Sequence, residues 1–136
     1  MILMVCLDSD VMIDYLHGKE QAVRFVNGLL ATGSRISTTV MSVCELYRGS
    51  DQNLPKGRQE VDRFLGFLEI YDLDLRACTL YRELYQKLSQ KGQLVGDFDL
   101  LIACIAMANG DSIATGNQKH FSKVPGLRLE KFQLGR

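Results

Sequence analysis

The sequence predicts an α/β sandwich in which a short, mainly parallel sheet is flanked by helices. Three observations lead there. Short apolar or β-branched runs alternate with longer stretches of helical periodicity, the order that parallel crossovers impose. The first run, Ile2 to Leu7, is apolar without a break, as in a strand covered on both faces. Phe98 to Asn109 is apolar all round, which marks a helix buried at the centre of the fold.

The elements follow in order. Asp8 ends the first strand, and Ser9-Asp10 caps a short helix through Leu16, closed by Gly18. A second helix is expected from Lys19 to Ala31, with Ala22, Phe25, Val26 and Leu29 at helical spacing and Gly33 as its stop. Arg35 to Thr39 reads as a β-branched strand, and Val40 to Arg48 as a mostly apolar helix ended by Gly49. Asp51 to Gly57, with Pro55, is the clearest loop. Arg58 to Ile70 places Val61, Phe64, Leu65 and Leu68 on one face of an amphipathic helix. Tyr71 to Leu75 reads as a short strand, Ala77 to Lys91 as a long helix and Gln93 to Asp97 as a turn. Gly110 closes the apolar helix, and Ser112 to Thr115 and Leu127 to Leu129 are the remaining strands.

The length of 136 residues suits a single domain over 1–136, and 24% charged residues exclude a disordered chain. The longest wholly apolar run, Leu100 to Ala108, falls far short of the roughly 20 residues that span a membrane. Met1 to Leu7 has no basic residue and runs into Asp8, a poor signal peptide. Cys6, Cys44, Cys78 and Cys104 are widely separated with no C-x-x-C spacing, so they are expected as reduced, buried thiols of a cytoplasmic protein. The 16 basic residues balance the 16 acidic ones, yet five bases and one acid lie between Asn117 and Arg136. A neutral total therefore conceals a basic end and an acidic remainder.

In open α/β sheets, ligands gather at the carboxyl ends of the strands. Asp8 stands at such an end after six apolar residues, where a carboxylate is costly unless it caps a helix or meets a cation. Glu45 lies within Val43-Cys44-Glu45-Leu46-Tyr47, either buried or paired with Arg48 on the surface. Asp97 and Asp99 precede the buried helix; one serves as a cap, while the second would lie deep in the fold. Asn117 follows the strand through Ser112 to Thr115, as a turn residue or a ligand holder. If Asp8, Glu45 and Asp99 converge, their mutual repulsion calls for a hard cation, Mg²⁺ or Mn²⁺, suited to phosphodiester hydrolysis. His17 is read as a helix-end residue, and His120 as a surface residue of the basic end, with phosphate contact as the alternative.

These stretches resemble a known family. Leu7-Asp8-Ser9-Asp10-Val11-Met12-Ile13 is similar to the opening motif of PIN domains, and Ser42 to Gly49, with Glu45-Leu46, to the second. Asp99-Leu100-Leu101-Ile102-Ala103 is similar to the third, and Ala114 to Phe121, followed by Val124-Pro125-Gly126-Leu127, to the fourth. The resemblance spans nearly the whole chain and is greatest to the VapC-type toxins of prokaryotic toxin–antitoxin pairs. It implies a PIN-like three-layer sandwich and a Mg²⁺-dependent endoribonuclease that forms a homodimer and is held inactive by a cognate antitoxin. It further implies Asp8, Glu45 and Asp99 as metal ligands, with Asn117 as the fourth catalytic position. Ser9 and Thr115 would support the ligand carboxylates, Asp10 would add negative charge, and Asp97 is an extra acid without an assigned role. Arg48, Lys119 and Lys123 would hold the RNA backbone, and Arg58 to Leu68 is a candidate dimer face. Two rivals remain. Asp8-Ser9-Asp10-Val11 also fits the nucleophile motif of haloacid-dehalogenase-like phosphatases, although Gly96-Asp97-Phe98-Asp99 lacks that family's later acid. The other is a non-catalytic module of PIN fold that binds RNA or protein.

Overall fold

A strand with no polar side chain must be covered on both faces, and the computed structural model, which describes residues 2–53 and 57–131, builds its layers around that requirement. The central strand β1 (Met4–Leu7) pairs in parallel with β2 (Arg35–Thr39) on one side and β4 (Ser112–Ala114) on the other. β3 (Glu69–Tyr71) extends the sheet beyond β2, giving the order β3-β2-β1-β4 with every pair parallel.

Alternation along β1 divides the core. Val5 and Leu7 join Ile36 beneath α1 (Ser9–Leu16), α2 (Glu20–Ala31) and α4 (Gly57–Leu65), which contribute Val11, Met12, Val26, Val61 and Phe64. Cys6 points the other way, with Ile113, into a layer formed by α5 (Leu75–Gln90), α6 (Asp97–Ala108) and the short α7 (Gln118–Phe121). The outcome is the expected three-layer α/β sandwich. Helix α3 (Val40–Asn53) follows β2 directly and anchors itself through Leu46, which is fully buried.

Helix α6 is the spine of the second layer: Leu100 and every residue from Ile102 to Ala106 are buried. On that side the buried Asp111 Oδ2 accepts hydrogen bonds from Ser37 (2.6 Å) and Tyr71 (2.9 Å), tying the entry to β4 to the neighbouring strands. The parallel register brings the carboxyl ends of β1 and β4 to one level, with Leu7 opposite Ala114 and the Asp8 amide donating to the Ala114 carbonyl.

Several boundaries differ from expectation. Helix α3 continues past Gly49 to Asn53, because a lone glycine weakens a helix without ending it. Residues 54–56 of the expected Asp51 to Gly57 loop, Pro55 among them, lie outside the described residues. The helix expected over Arg58 to Ile70 stops at Leu65, and the strand forms at Glu69–Tyr71 rather than from Tyr71 onward. Pairing decides this: Ser37 to Thr39 offers a ladder to Glu69 to Tyr71, and Arg35 binds Glu69 at 2.6 Å. Asp74 instead caps α5, accepting from the Ala77 amide at 3.1 Å. Leu127 to Leu129 yields a single parallel bridge between Leu129 and Ile113. All four cysteines are free, but only Cys6 and Cys104 are buried; Cys44 and Cys78 are exposed. No helix among the described residues is long and apolar enough to cross a membrane.

Packing on α6 generates a contrast that can be measured. Ile105→Ala is expected to cost about 2–5 kcal/mol in urea melts, through lost burial and the cavity left behind. Phe98→Ala, on the exposed first turn of the same helix, is expected to change stability by about 0.5 kcal/mol or less. Equal losses would refute the placement of α6.

Candidate active site

Asp8 leaves the end of β1 just as α1 begins, and only 6% of its surface is exposed. The Ser9 amide donates to its Oδ1 at 2.9 Å and the Thr115 hydroxyl to its Oδ2 at 2.8 Å. Thr115, fully buried beyond β4, is fixed in turn by accepting the Asn117 amide at 3.0 Å. The cap reading of Asp8 holds, and its other oxygen is bound by Thr115 just beyond β4.

Three further acids reach this place from different elements. Glu45, partly buried on α3, accepts the Ser9 hydroxyl at Oε1 (3.0 Å). Asp10, in the first turn of α1, accepts the Gly116 amide at 2.9 Å and so pins α1 to the loop after β4. Asp99, in the first turn of α6, accepts the Asn117 side-chain amide at 3.3 Å. That turn lies at the rim rather than deep in the fold. Asp97 and Phe98 are exposed and the Asp99 side chain is 25% exposed, because the buried stretch of α6 starts only at Leu100.

The acids feel one another. Burial, followed by the charge of Asp10, pushes the Asp8 carboxyl up to about 7, despite the hydrogen bonds from Thr115 and Ser9. Glu45 contributes a smaller share of the same repulsion. The Glu45 carboxyl is also raised, chiefly by burial; the Ser9 bond and Arg48 oppose this, while Asp99 and Asp10 add to it.

Of the other anticipated residues, Arg48 lines a groove of about 380 Å³ with Cys44, Glu45 and Phe98. Lys119 is exposed on α7 and Lys123 is exposed just after it. Asp97 is not drawn into the acidic group: its Oδ1 accepts the Tyr81 hydroxyl at 3.0 Å, joining α5 to α6. Asn117 stands at the N-terminus of α7, yet its side chain caps nothing there and turns to Asp99. His120 is a surface residue, as expected, and also places Nδ1 3.2 Å from Asn117 Nδ2 and 3.6 Å from Asp99 Oδ2. Its spacing three residues after Asn117 was the available signal, since one helical turn superposes them.

The donor set fits a hard divalent cation. It consists of carboxylate oxygens from several elements, and such oxygens suit Mg²⁺ or Mn²⁺. Among the described residues no three His, Cys, Asp or Glu side chains already stand in a metal-holding arrangement. Ser9, Thr115 and Asn117 hold the acids individually, and an ionised carboxylate keeps lone pairs beyond the ones these donors use.

Residues 5–127 match the PIN domain family model. The chain belongs to the PIN domain family. It is 36% identical over 106 residues to the ribonuclease VapC2 of Rickettsia felis, covering 76% of this chain and 79% of that relative. It is 29% identical over 126 residues to the tRNA(fMet)-specific endonuclease VapC of Salmonella typhimurium, covering 91% of this PIN protein and 94% of that one. The crystal structure of VapBC2 from Rickettsia felis bound to a promoter DNA fragment superposes with a TM-score of 0.82 at 29% identity. That match covers 94% of this chain and 98% of the solved one.

The raised Asp8 carboxyl fixes the sign of a stability experiment. Because the native group binds its proton more tightly than the unfolded group, the penalty is absent below about pH 4 and complete above about pH 7. Asp8→Asn should therefore stabilise the metal-free protein at pH 8 by on the order of 1–3 kcal/mol, with the gain fading toward pH 4 in urea melts. A destabilised variant at pH 8 would contradict this electrostatic picture.

Proposed function

We propose that this PIN domain is a metal-dependent endoribonuclease, the toxin of a toxin–antitoxin pair, acting on cytoplasmic RNA. The observation that carries the reading is the meeting of Asp8, Asp10, Glu45 and Asp99 where β1 and β4 end. Relatives named as VapC ribonucleases, and a VapBC solved structure of the same fold, support it.

Asp8, Glu45 and Asp99 would hold Mg²⁺ or Mn²⁺. When bound, such an ion supplies an activated water and neutralises charge on the phosphodiester under attack. The chain's own residues do the rest. Thr115 and Ser9 hold the carboxylates in orientation, as hydrogen-bonded supports of metal ligands do. Asn117, the fourth catalytic position, orients Asp99 through its amide. Arg48 on the groove wall, with the exposed Lys119 and Lys123, supplies positive charge for the RNA backbone. A cognate antitoxin would silence the enzyme by occupying the groove beside Glu45, and the active form would be a homodimer.

The phosphatase alternative loses its footing. Membership of the PIN family removes its fold, and Gly96-Asp97-Phe98-Asp99 lacks the later acid that such a phosphatase needs.

Cleavage of total cellular RNA by antitoxin-free protein tests the reading. Discrete cuts are expected with Mg²⁺, none with a chelator, and at least about a 100-fold loss in Asp99→Asn. Undiminished cleavage by a folded Asp99→Asn protein would overturn the site assignment. Folded, metal-binding wild-type protein that cleaves nothing would favour a non-catalytic PIN module.

A further inference from the structure

Asn117 and His120 form a relay whose outer end, His120 Nε2, meets no hydrogen-bond partner among the described residues. The Asn117 Nδ2 group only donates, and it lies 3.3 Å from Asp99 Oδ2 and 3.2 Å from His120 Nδ1. An ionised Asp99 only accepts, so it selects the amide orientation that presents nitrogen rather than oxygen. With nitrogen in that place, His120 Nδ1 must receive the second amide hydrogen through its lone pair. A neutral imidazole has one acceptor nitrogen and one donor nitrogen, so the proton of His120 then sits on Nε2. The direct approach of Nδ1 to Asp99, at 3.6 Å, is too long to compete as a hydrogen bond. The ring is half exposed on α7, beside the exposed Lys119, while Asp99 lies in the acidic group.

We propose that His120 is a substrate-contacting residue of the site, held by Asn117 so that its Nε2–H donates to a phosphate oxygen of the RNA strand lying over Asp99. The inference rests on the nuclease reading and deepens it. It assigns His120 a role distinct from that of the lysines near it. They supply unspecific positive charge, whereas an oriented N–H fixes where one phosphate oxygen can sit, and so which phosphodiester faces the acids.

Three readouts test it. In wild-type protein above pH 8, long-range ¹⁵N NMR of the imidazole is expected to show the Nε2–H tautomer. His120→Ala is expected to lower kcat/KM for RNA cleavage by roughly 10- to 100-fold while leaving Mn²⁺ affinity within about twofold in calorimetry. His120→Gln, whose side-chain amide can place a donor near the Nε2 position, is expected to recover most of that loss. An Nδ1–H tautomer overturns the proposal, as does full activity in His120→Ala or a Gln variant no better than Ala. Loss of Mn²⁺ binding in His120→Ala also overturns it, since the residue would then act through the acids. If wild-type protein cuts no RNA, the proposal falls with the nuclease reading; wild-type cutting with an unimpaired His120→Ala sinks the proposal alone.

Discussion

Asp8 ends the central strand with its carboxylate buried between the carboxyl ends of β1 and β4, where Asp10 and Glu45 repel it and, among the described residues, no basic side chain pairs with it. Native structures ordinarily avoid buried, unpaired charge because its desolvation is so costly. Here the fold supports it with two hydrogen bonds, from the Ser9 amide and the Thr115 hydroxyl, which lessen the repulsion without cancelling it. The group stays poised near neutrality. The acidic centre is thus a local instability held in place by the rest of the sandwich, in line with the frequent exchange of stability for function at active sites.

The supporting scaffold follows from that demand. β1 is apolar and covered on both faces, so its end is fixed in position. β4 is in register with it and delivers Thr115, Gly116 and Asn117 to the same level. Helix α3 leaves β2 and presents Glu45 across to Ser9, and α6 carries Asp99 directly before its buried stretch begins. Small polar groups do the joining: Ser9 bridges α1 to α3, and Asn117 bridges α7 to α6. Asp8, Glu45 and Asp99 are thereby each tied by a short side chain with little conformational entropy to lose, and Asp10 by the Gly116 amide.

Much of this was legible in the sequence. The unbroken apolar run before Asp8 announced both the central strand and an expensive carboxylate at its end. The uniformly apolar α6 announced the middle of the second layer. Asp8, Glu45, Asp99 and Asn117 each belonged to a separate motif, but their convergence depends on parallel register, which no local pattern encodes. Elements settled by long-range pairing were the ones misjudged. Glu69 and Ile70 look helical from their spacing but join the strand that ends at Tyr71, because β2 offers them partners. The rim position of Asp97 and the pairing of its carboxylate with Tyr81 depend on how α5 packs on α6, which composition does not reveal. For His120 the basic stretch leaves phosphate contact second to a surface role, and only the contact of Asn117 with both it and Asp99 singles it out.

The central claim is that the acids at the end of β1 form one electrostatic unit in need of a cation. Thermal unfolding of chelator-treated protein, titrated with Mn²⁺, tests it most directly. The account predicts a melting temperature that climbs with metal concentration, since a ligand bound only by the native state stabilises it by RT ln(1 + [L]/Kd). It also predicts little or no climb in Asp8→Asn. A wild-type melting temperature that stays flat into the millimolar range, or an equal climb in Asp8→Asn, would contradict it.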